Sequence, residues 1–572
     1  MKTRSNPGLP GWKIRTAIAL FLLTALAGMA PAQDERRLSL EDYRDRMKGG
    51  WVGQMAGVCW GGPTEFKWVD EIIPRGDVPV WRPEMINDAF GQDDLYVEMT
   101  FLRTLESRGL GVSIREAGID FANSEYRLWC ANEAGRTNLR RGIAPPDSSH
   151  PRFSTRPNDI DYQIEADFAG LISPGLPNAV IGFGNTFGRL MNYGDGLYGG
   201  QFMGGMYAAA FFERDIGRVI AAGLACIPAD SQYAGMVRDL VRWHRENPGD
   251  WEATWARCQK KYREDPAYQK ASNGGIDVKI NGAYVLLGLL YGDGDMDRTI
   301  QIAMRAGLDS DCNPSSAGGV LGAMLGYSRL PARFSEKLNP SLVFSYTAYT
   351  FPQLLAASET LARQNVVRQG GRIDVDAAGH EVFVIPRQTA KPNPLELSWA
   401  PGPVAGVRFT PEEYARIRFR PHPADVAGDD PTQRVQGAID VLFPGWRTSP
   451  NGPEQRPGYR ADYEGRDHVV MTQPPAGGTA VTVSRILEVP KSAAPRLRVT
   501  VANAYQSGLV LVAKIDGHEV QRTTVEGRKA VWRTSEIDLA PFAGRGVTVE
   551  LVARAQSGTS AAAFWGAIEL EP

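Results

Sequence analysis

Apolar positions change their period part-way along the chain. Behind Ser39 and Asp42, spaced as a capping box, Tyr43, Met47 and Val52 mark a first helix rich in small residues. Leu95, Val97, Met99, Phe101, Leu102 and Leu105 follow the 3.6-residue period of a second. Residues 216 to 265 predict two amphipathic helices with Trp243, Trp251 and Trp255 as core, Asn281 to Leu290 an apolar helix, and Ile300, Ile302, Ala303 and Ala306 another. After about residue 365 the period falls to two. Arg372 to Asp376 and Glu381 to Ile385 predict a hairpin. From about residue 440 the pattern is β throughout, in runs such as 480–483, 497–501, 509–515 and 547–552, with Asp516-Gly517 as a hairpin turn. The expected architecture is multidomain: an all-α domain over 33–365, a β-hairpin connector over 366–439, and an all-β jelly-roll sandwich over 440–572.

The breaks in this pattern are where chemistry is expected. Residues 64 to 88, rich in Pro and including Trp68 and Trp81, predict an ordered lid or rim, and residues 132 to 160 a long surface loop. Asp161 to Pro174 starts helical and carries more carboxylates than a solvated face needs; Gln163 and Asp167 are candidate substrate contacts there. A Gly-rich turn at 192–196 opens a small-residue helix whose glycines suit close packing, leaving Asp195 and Tyr198 as further candidate contacts. Gly292 to Asp297 has the look of a calcium loop, but Met304 stands where the closing glutamate is required, so it predicts a turn with Asp297 as helix N-cap.

At 572 residues the chain exceeds one ordinary domain, and a net charge of -2 leaves no basic footprint for nucleic acid. Lys2, Arg4, Lys13 and Arg15 precede an apolar stretch from Ala17 to Ala27 and an Ala30-Pro31-Ala32 cleavage pattern. Residues 1–32 therefore predict a signal peptide and a secreted or periplasmic protein, and no later stretch is long enough to span a bilayer. The cysteines, Cys59, Cys130, Cys226, Cys258 and Cys312, are too scattered for a disulfide scaffold, and their odd number leaves at least one free thiol.

Two acidic steps stand out against this background. Asp309 and Asp311 flank Ser310 where one helix stops and another starts, and Asp93-Asp94 opens the second helix behind Gln92. Oxygen donors converging in this way suit Mg²⁺, with Mn²⁺ or Ca²⁺ as alternatives, although aspartates also serve as caps. A third element precedes them: a Gly-rich helix from Gly49 to Gly57 leading through Gly61-Gly62-Pro63-Thr64 to Glu65 and Phe66.

In this order the three elements resemble the ADP-ribosylglycohydrolase family over roughly residues 40 to 350. The resemblance implies a helical hydrolase in which Asp93, Asp94, Asp309 and Asp311, with Gln92, hold one or two Mg²⁺ ions that grip sugar hydroxyls. It implies proton transfer by Glu65, with Asp309 as the alternative base. The chain departs from the family pattern where Gln92 and Leu95 replace threonines, Cys312 replaces a threonine and Val58 an aspartate. Residues 161–175 replace the expected Gly- and Arg-containing motif, which opens the range of substrates beyond ADP-ribose to other small-molecule glycosides and carbohydrates. The β region is similar to carbohydrate-binding modules of secreted glycosidases, with Trp532 and Phe564-Trp565 as the aromatic signature. The competing expectation is a glycan-binding protein without catalysis. Oligomeric state is not legible.

Overall fold

A computed structural model describes residues 34–571 apart from 273–275, 422–429, 493, 506, 527–529 and 557–561; the expected signal peptide, residues 1–32, lies outside the described residues. Strand β1 (Glu35–Ser39) leads into helix α1 (Leu40–Gly61), capped where the Ser39 hydroxyl accepts the Asp42 N–H at 3.0 Å. The helical domain continues through α2 (Asp93–Arg108), α3 (Ile114–Ala122), α4 (Cys130–Arg140), the short α5 (Asp161–Ile164) and α6 (Asp167–Leu171), and α7 (Pro177–Thr186). Then follow α8 (Asp195–Ala210), α9 (Ile216–Ala225), α10 (Gln232–Glu246), α11 (Trp251–Cys258), α12 (Val278–Tyr291), α13 (Met296–Arg305), α14 (Cys312–Leu325) and α15 (Phe351–Arg368).

Helices α8 and α12 are buried on every side, as their mainly apolar and small composition dictates. The closest pair is α1 and α14. Gly49, Gly53, Gly57 and Gly61 recur every four residues and share one face of α1. A Cβ on Gly53 would lie 2.1 Å from the Gly318 carbonyl oxygen, and one on Gly49 2.4 Å from that of Gly322. The two backbones therefore touch, which fixes how closely the loops at their ends approach.

Three local expectations are corrected. Residues 132–160 are not a surface loop: they begin in α4, and Asp147, Ser148, Ser149, Asn158 and Asp159 are buried. Residues 216–265 form three helices rather than two, because Pro228 and Pro248 interrupt the run. Asp295, not Asp297, caps α13 by accepting the Arg298 N–H, while Asp297 pairs with Arg333.

Strands β2 (Arg372–Val375) and β3 (Glu381–Pro386) form the expected hairpin, and β1 adds to it antiparallel in the order β1-β3-β2. Phe383 packs edge-on against Tyr43 of α1 at 5.2 Å, so the hairpin is part of the helical body. Residues 388–409 then strap the domain: Arg189 grips Glu396 at 2.8 Å, and Asp147 accepts the N–H groups of Ala405 and Val407.

After α16 (Pro411–Ala415), helix α17 (Pro431–Leu442) packs Val435, Ala438 and Ile439 into the core of the β region. That region comprises β4 (Arg447–Thr448), β5 (Gly458–Tyr463), β6 (Arg466–Thr472), β7 (Ala480–Glu488), β8 (Arg496–Asn503), β9 (Leu509–Ile515), β10 (His518–Val525), β11 (Trp532–Asp538), β12 (Gly546–Ala555) and β13 (Ala563–Glu571). Among the described residues these make two five-stranded antiparallel sheets, β10-β9-β12-β7-β4 and β11-β8-β13-β6-β5. Val483, Val499, Val501, Leu511, Val549 and Leu551 point inward by strand alternation. Trp565 belongs to this core and donates Nε1–H to Thr472 at 2.9 Å, while Phe564 lies under Tyr463. No helix among the described residues is long and apolar enough to cross a membrane.

Candidate active site

The chain between α13 and α14 reverses at Gly307 (φ +83°) and Leu308 (φ +59°). Gly307 is required twice over: its φ is left-handed, and a Cβ would meet the Glu71 carbonyl oxygen at 2.5 Å. Leu308 donates its N–H to Trp68 and accepts that of Phe66 at 3.0 Å, and the hydroxyls of Thr64 and Ser310 meet at 2.8 Å. This ladder carries Glu65 alongside Asp309 and Asp311. Asp311 is the N-cap residue of α14; Asp93 and Asp94 form the first turn of α2 behind Gln92. Two helix N-termini, each favouring negative charge, thus direct their acids at one place.

They face a cavity of about 650 Å³. Glu65, Gln92, Asp93, Asp309 and Asp311 line it together with Cys130, Asn132 and Asp161, and Cys312 packs with Ile160, Ile164 and Ile276 into an apolar part of the same lining. Asp94 lies just behind, reached through Cys312, whose Sγ donates to Asp94 Oδ1 at 3.0 Å. Ligating atoms of Asp309, Asp311 and Cys312 fall within 4.8 Å of one another. Asp94 Oδ2, Asp309 Oδ2 and Asp311 Oδ1 are buried with no hydrogen-bond partner. Buried carboxylate oxygens left in this state are costly unless something positive completes them.

The electrostatics agree. Burial raises Asp94 and Asp309 well above the ordinary carboxylate range, reinforced by Asp93 and Asp311 at the former and by Asp311 and Asp94 at the latter. Burial also raises Asp93 and Asp311. Burial, then Asp311 and Asp93, push Glu65 up to about 7. Hard oxygen donors, orphaned and mutually repelling, fit a divalent cation such as Mg²⁺. Cys312 is a different matter. Burial and Asp309 push its thiol well up, so in the metal-free protein it is a hydrogen-bond donor to Asp94 rather than a thiolate.

The structure brings together Glu65, Gln92, Asp93, Asp94, Asp309 and Asp311. It does not bring the four expected substrate contacts to the cavity. Gln163 accepts from the Tyr233 hydroxyl at 2.6 Å, and Asp167 from that of Tyr207 at 2.6 Å. Asp195 accepts the Tyr233 N–H, and Tyr198 bridges Pro394 and Glu396 of the strap. The reason is packing: the small residues of α8 draw α5 and α6 onto it, with Gly200 against Tyr162 and the Gly204 carbonyl against Gly170, and these polar groups are buried inside the fold, with Gln163 Nε2 and Asp167 Oδ1 left without a partner. Trp81, read as part of a rim, packs against Trp60 and Phe334.

Other wall residues were not singled out by the sequence. Asn132 donates its amide to Glu165 and leaves Oδ1 without a partner. Phe66, Tyr96, Trp129 and Tyr346 also line the cavity; Tyr96 is buried and the other three are exposed, at its mouth. Tyr346 (φ +60°) reaches it because Ser345 donates its N–H to the Phe90 carbonyl at 2.8 Å and the Phe344 ring packs tilted against that of Phe90. The signal available was the aromatic and polar mix of 125–132 and 344–349, which has no helical or strand period.

The family model described as ADP-ribosylglycohydrolase matches residues 39–368. Among solved structures, a chain titled "ADP-ribosylglycohydrolase-related protein complex" aligns with 57% of this chain and 100% of its own at 16% identity and a TM-score of 0.37. No curated protein sequence matches. A match to that family over more than half of the chain, spanning all three acidic elements, establishes that the protein belongs to the ADP-ribosylglycohydrolase family.

Proposed function

We propose that the protein is a divalent-metal-dependent hydrolase of N- or O-glycosidic bonds, with Mg²⁺ as the metal. The observation that carries this reading is the set of orphaned, buried carboxylate oxygens on Asp94, Asp309 and Asp311, gathered at a cavity where family membership supports glycohydrolase chemistry. Asp93, Asp94, Asp309 and Asp311, with the Gln92 carbonyl, would hold one or two ions. A bound divalent ion supplies Lewis-acid chemistry, orienting vicinal sugar hydroxyls and stabilising charge at the anomeric region.

The chain's own residues supply the proton work. Glu65 reaches the cavity, and a carboxyl pushed up to about 7 is poised to give a proton to the leaving group and then take one from water. Asp309 also lines the cavity, but it is buried and hydrogen-bonded to Asp311; in this reading its role is to bind rather than to transfer. The apolar wall of Ile160, Ile164 and Ile276 limits water access to the bond. The signal-like N-terminus adds export to the reading, so the substrates are those found outside the cytoplasm. The β-sandwich would serve as an accessory carbohydrate-binding unit.

Calorimetric titration with Mg²⁺, Mn²⁺ and Ca²⁺, wild type against Asp311→Asn, tests the metal site. Aryl glycoside hydrolysis with and without chelator tests the chemistry. Metal binding lost in Asp311→Asn and turnover abolished by chelator support the proposal. Turnover unaffected by either change overturns it, and metal binding without turnover on any glycoside favours a glycan-binding protein.

A further inference from the structure

Asp161, the further acid lining the cavity, has a second consequence. Three helices of eight or more residues start at this cavity. At α2 and α14 the chain's own acids, Asp93, Asp94 and Asp311, stand at the start without a side-chain cap hydrogen bond. At α4 the start is occupied by a carboxylate from another segment, Asp161, which accepts the Ala131 and Asn132 N–H groups at 3.1 and 2.9 Å. Backbone N–H groups at helix starts are the ordinary cradle of a phosphate. Here the cradle at α4 is filled, and its occupant lines the cavity.

Side chains offer no substitute. Among the described residues lining the cavity the basic one is Arg127, which lies over the Trp129 ring at 3.8 Å on the rim. Two divalent ions would balance four carboxylates at most, leaving no positive surplus for a diphosphate among Glu65, Asp93, Asp94, Asp309, Asp311 and Asp161. The mouth instead offers flat apolar faces: Phe66, Trp129 and Tyr346 are 45%, 45% and 58% exposed. Such aromatic faces suit the C–H faces of sugar or aglycone rings. Just inside, the unpartnered Oδ1 of buried Asn132, its amide fixed by Glu165, is an acceptor for a hydroxyl.

We infer that the site takes an uncharged glycoside, its sugar hydroxyls at the acidic floor and its outer ring on the Phe66, Trp129 and Tyr346 rim, and rejects phosphate-bearing ones, because Asp161 occupies the helix start a phosphate would need. This rests on the hydrolase reading above and narrows its substrate class.

The test uses the Mg²⁺-supplemented full chain. A panel of neutral aryl pentofuranosides and hexopyranosides is compared, by equilibrium binding and by turnover, with their phosphorylated counterparts and with ADP-ribose. At least one neutral glycoside is expected to bind, with its phosphorylated form weaker by about tenfold or more. Tyr346→Ala is expected to raise KM for that glycoside up to about tenfold with kcat little changed. Asp161→Asn is expected to narrow the phosphate penalty; should it fail to fold, wild-type binding decides alone. ADP-ribose or a phosphorylated glycoside binding as tightly as the best neutral one overturns the inference, as does binding by no neutral glycoside. Failure of the hydrolase reading shows separately, as selective binding without turnover.

Discussion

Gly57 of α1 lies so close to Pro314 of α14 that a Cβ on Gly57 would stand 2.1 Å from the Pro314 carbonyl oxygen. Pro314 is three residues beyond Asp311, so the helix contact and the acidic turn are one unit. Ala in place of a helical Gly ordinarily gains up to about 1 kcal/mol. At Gly57 the sign reverses, since backbone must move to admit the methyl. Gly57→Ala is expected to cost about 1–3 kcal/mol and to weaken metal binding as the Asp311 turn shifts. Gly235→Ala in α10, where a Cβ meets nothing within 4 Å, is the control and is expected to be neutral or stabilising. Thermal melts of the two variants side by side decide it.

Cys312 is expected to behave as a hydrogen-bond donor. Cys312→Ser keeps a donor to Asp94 and should retain metal binding and activity. Cys312→Ala removes that donor from buried Asp94 and should lose about 1–3 kcal/mol of stability in the metal-free protein. Turnover after treatment with a thiol-alkylating reagent at neutral pH should be unchanged. Rapid inactivation in step with Cys312 alkylation would instead make it a nucleophile.

Metal-free stability should fall as pH rises through the neutral range. Burial pushes Asp159 up to about 6, Asp161 to about 7 and Asp167 to about 8, from an ordinary 3.8. Between the ordinary and the raised values the folded chain holds protons that the unfolded chain has released, so unfolding is favoured as pH increases. Carboxylates lowered by arginine, such as Glu413 with Arg115, act the other way only at more acidic pH. The melting temperature should be higher near about pH 5.5 than near about pH 8.5. Added Mg²⁺ should reverse the trend, because it binds deprotonated ligands and stabilises by about 2.7 kcal/mol at one hundred times Kd. A metal-free melting temperature that rises across this window contradicts the burial of these carboxylates.

Tyr198→Phe removes the hydroxyl that donates to Pro394 and accepts from Glu396, far from the cavity wall. It is expected to cost about 1–2 kcal/mol and to leave KM unchanged. A raised KM with unchanged stability would restore Tyr198 as a substrate contact.

Much of this protein is legible in its sequence. The fall of the apolar period from 3.6 to 2 separates the helical body from the β-sandwich, since each period puts apolar groups on one face of one kind of element. The acidic steps at Asp93-Asp94 and Asp309-Asp311 are local devices too, because a helix start favours carboxylates whatever surrounds it. What only the tertiary structure decided is which polar groups share a space. Gln163, Asp167, Asp195 and Tyr198 have the same chemistry as the residues of the site, yet they pair with Tyr233, Tyr207 and the 388–409 strap because the small residues of α8 draw neighbouring segments over them. Asn132, Asp161 and Tyr346 reach the cavity through contacts with partners distant in the chain, at Glu165, the start of α4 and Phe90. Sequence period reports the face of an element; the site is made where faces of several elements meet, and that follows from how closely their backbones can approach.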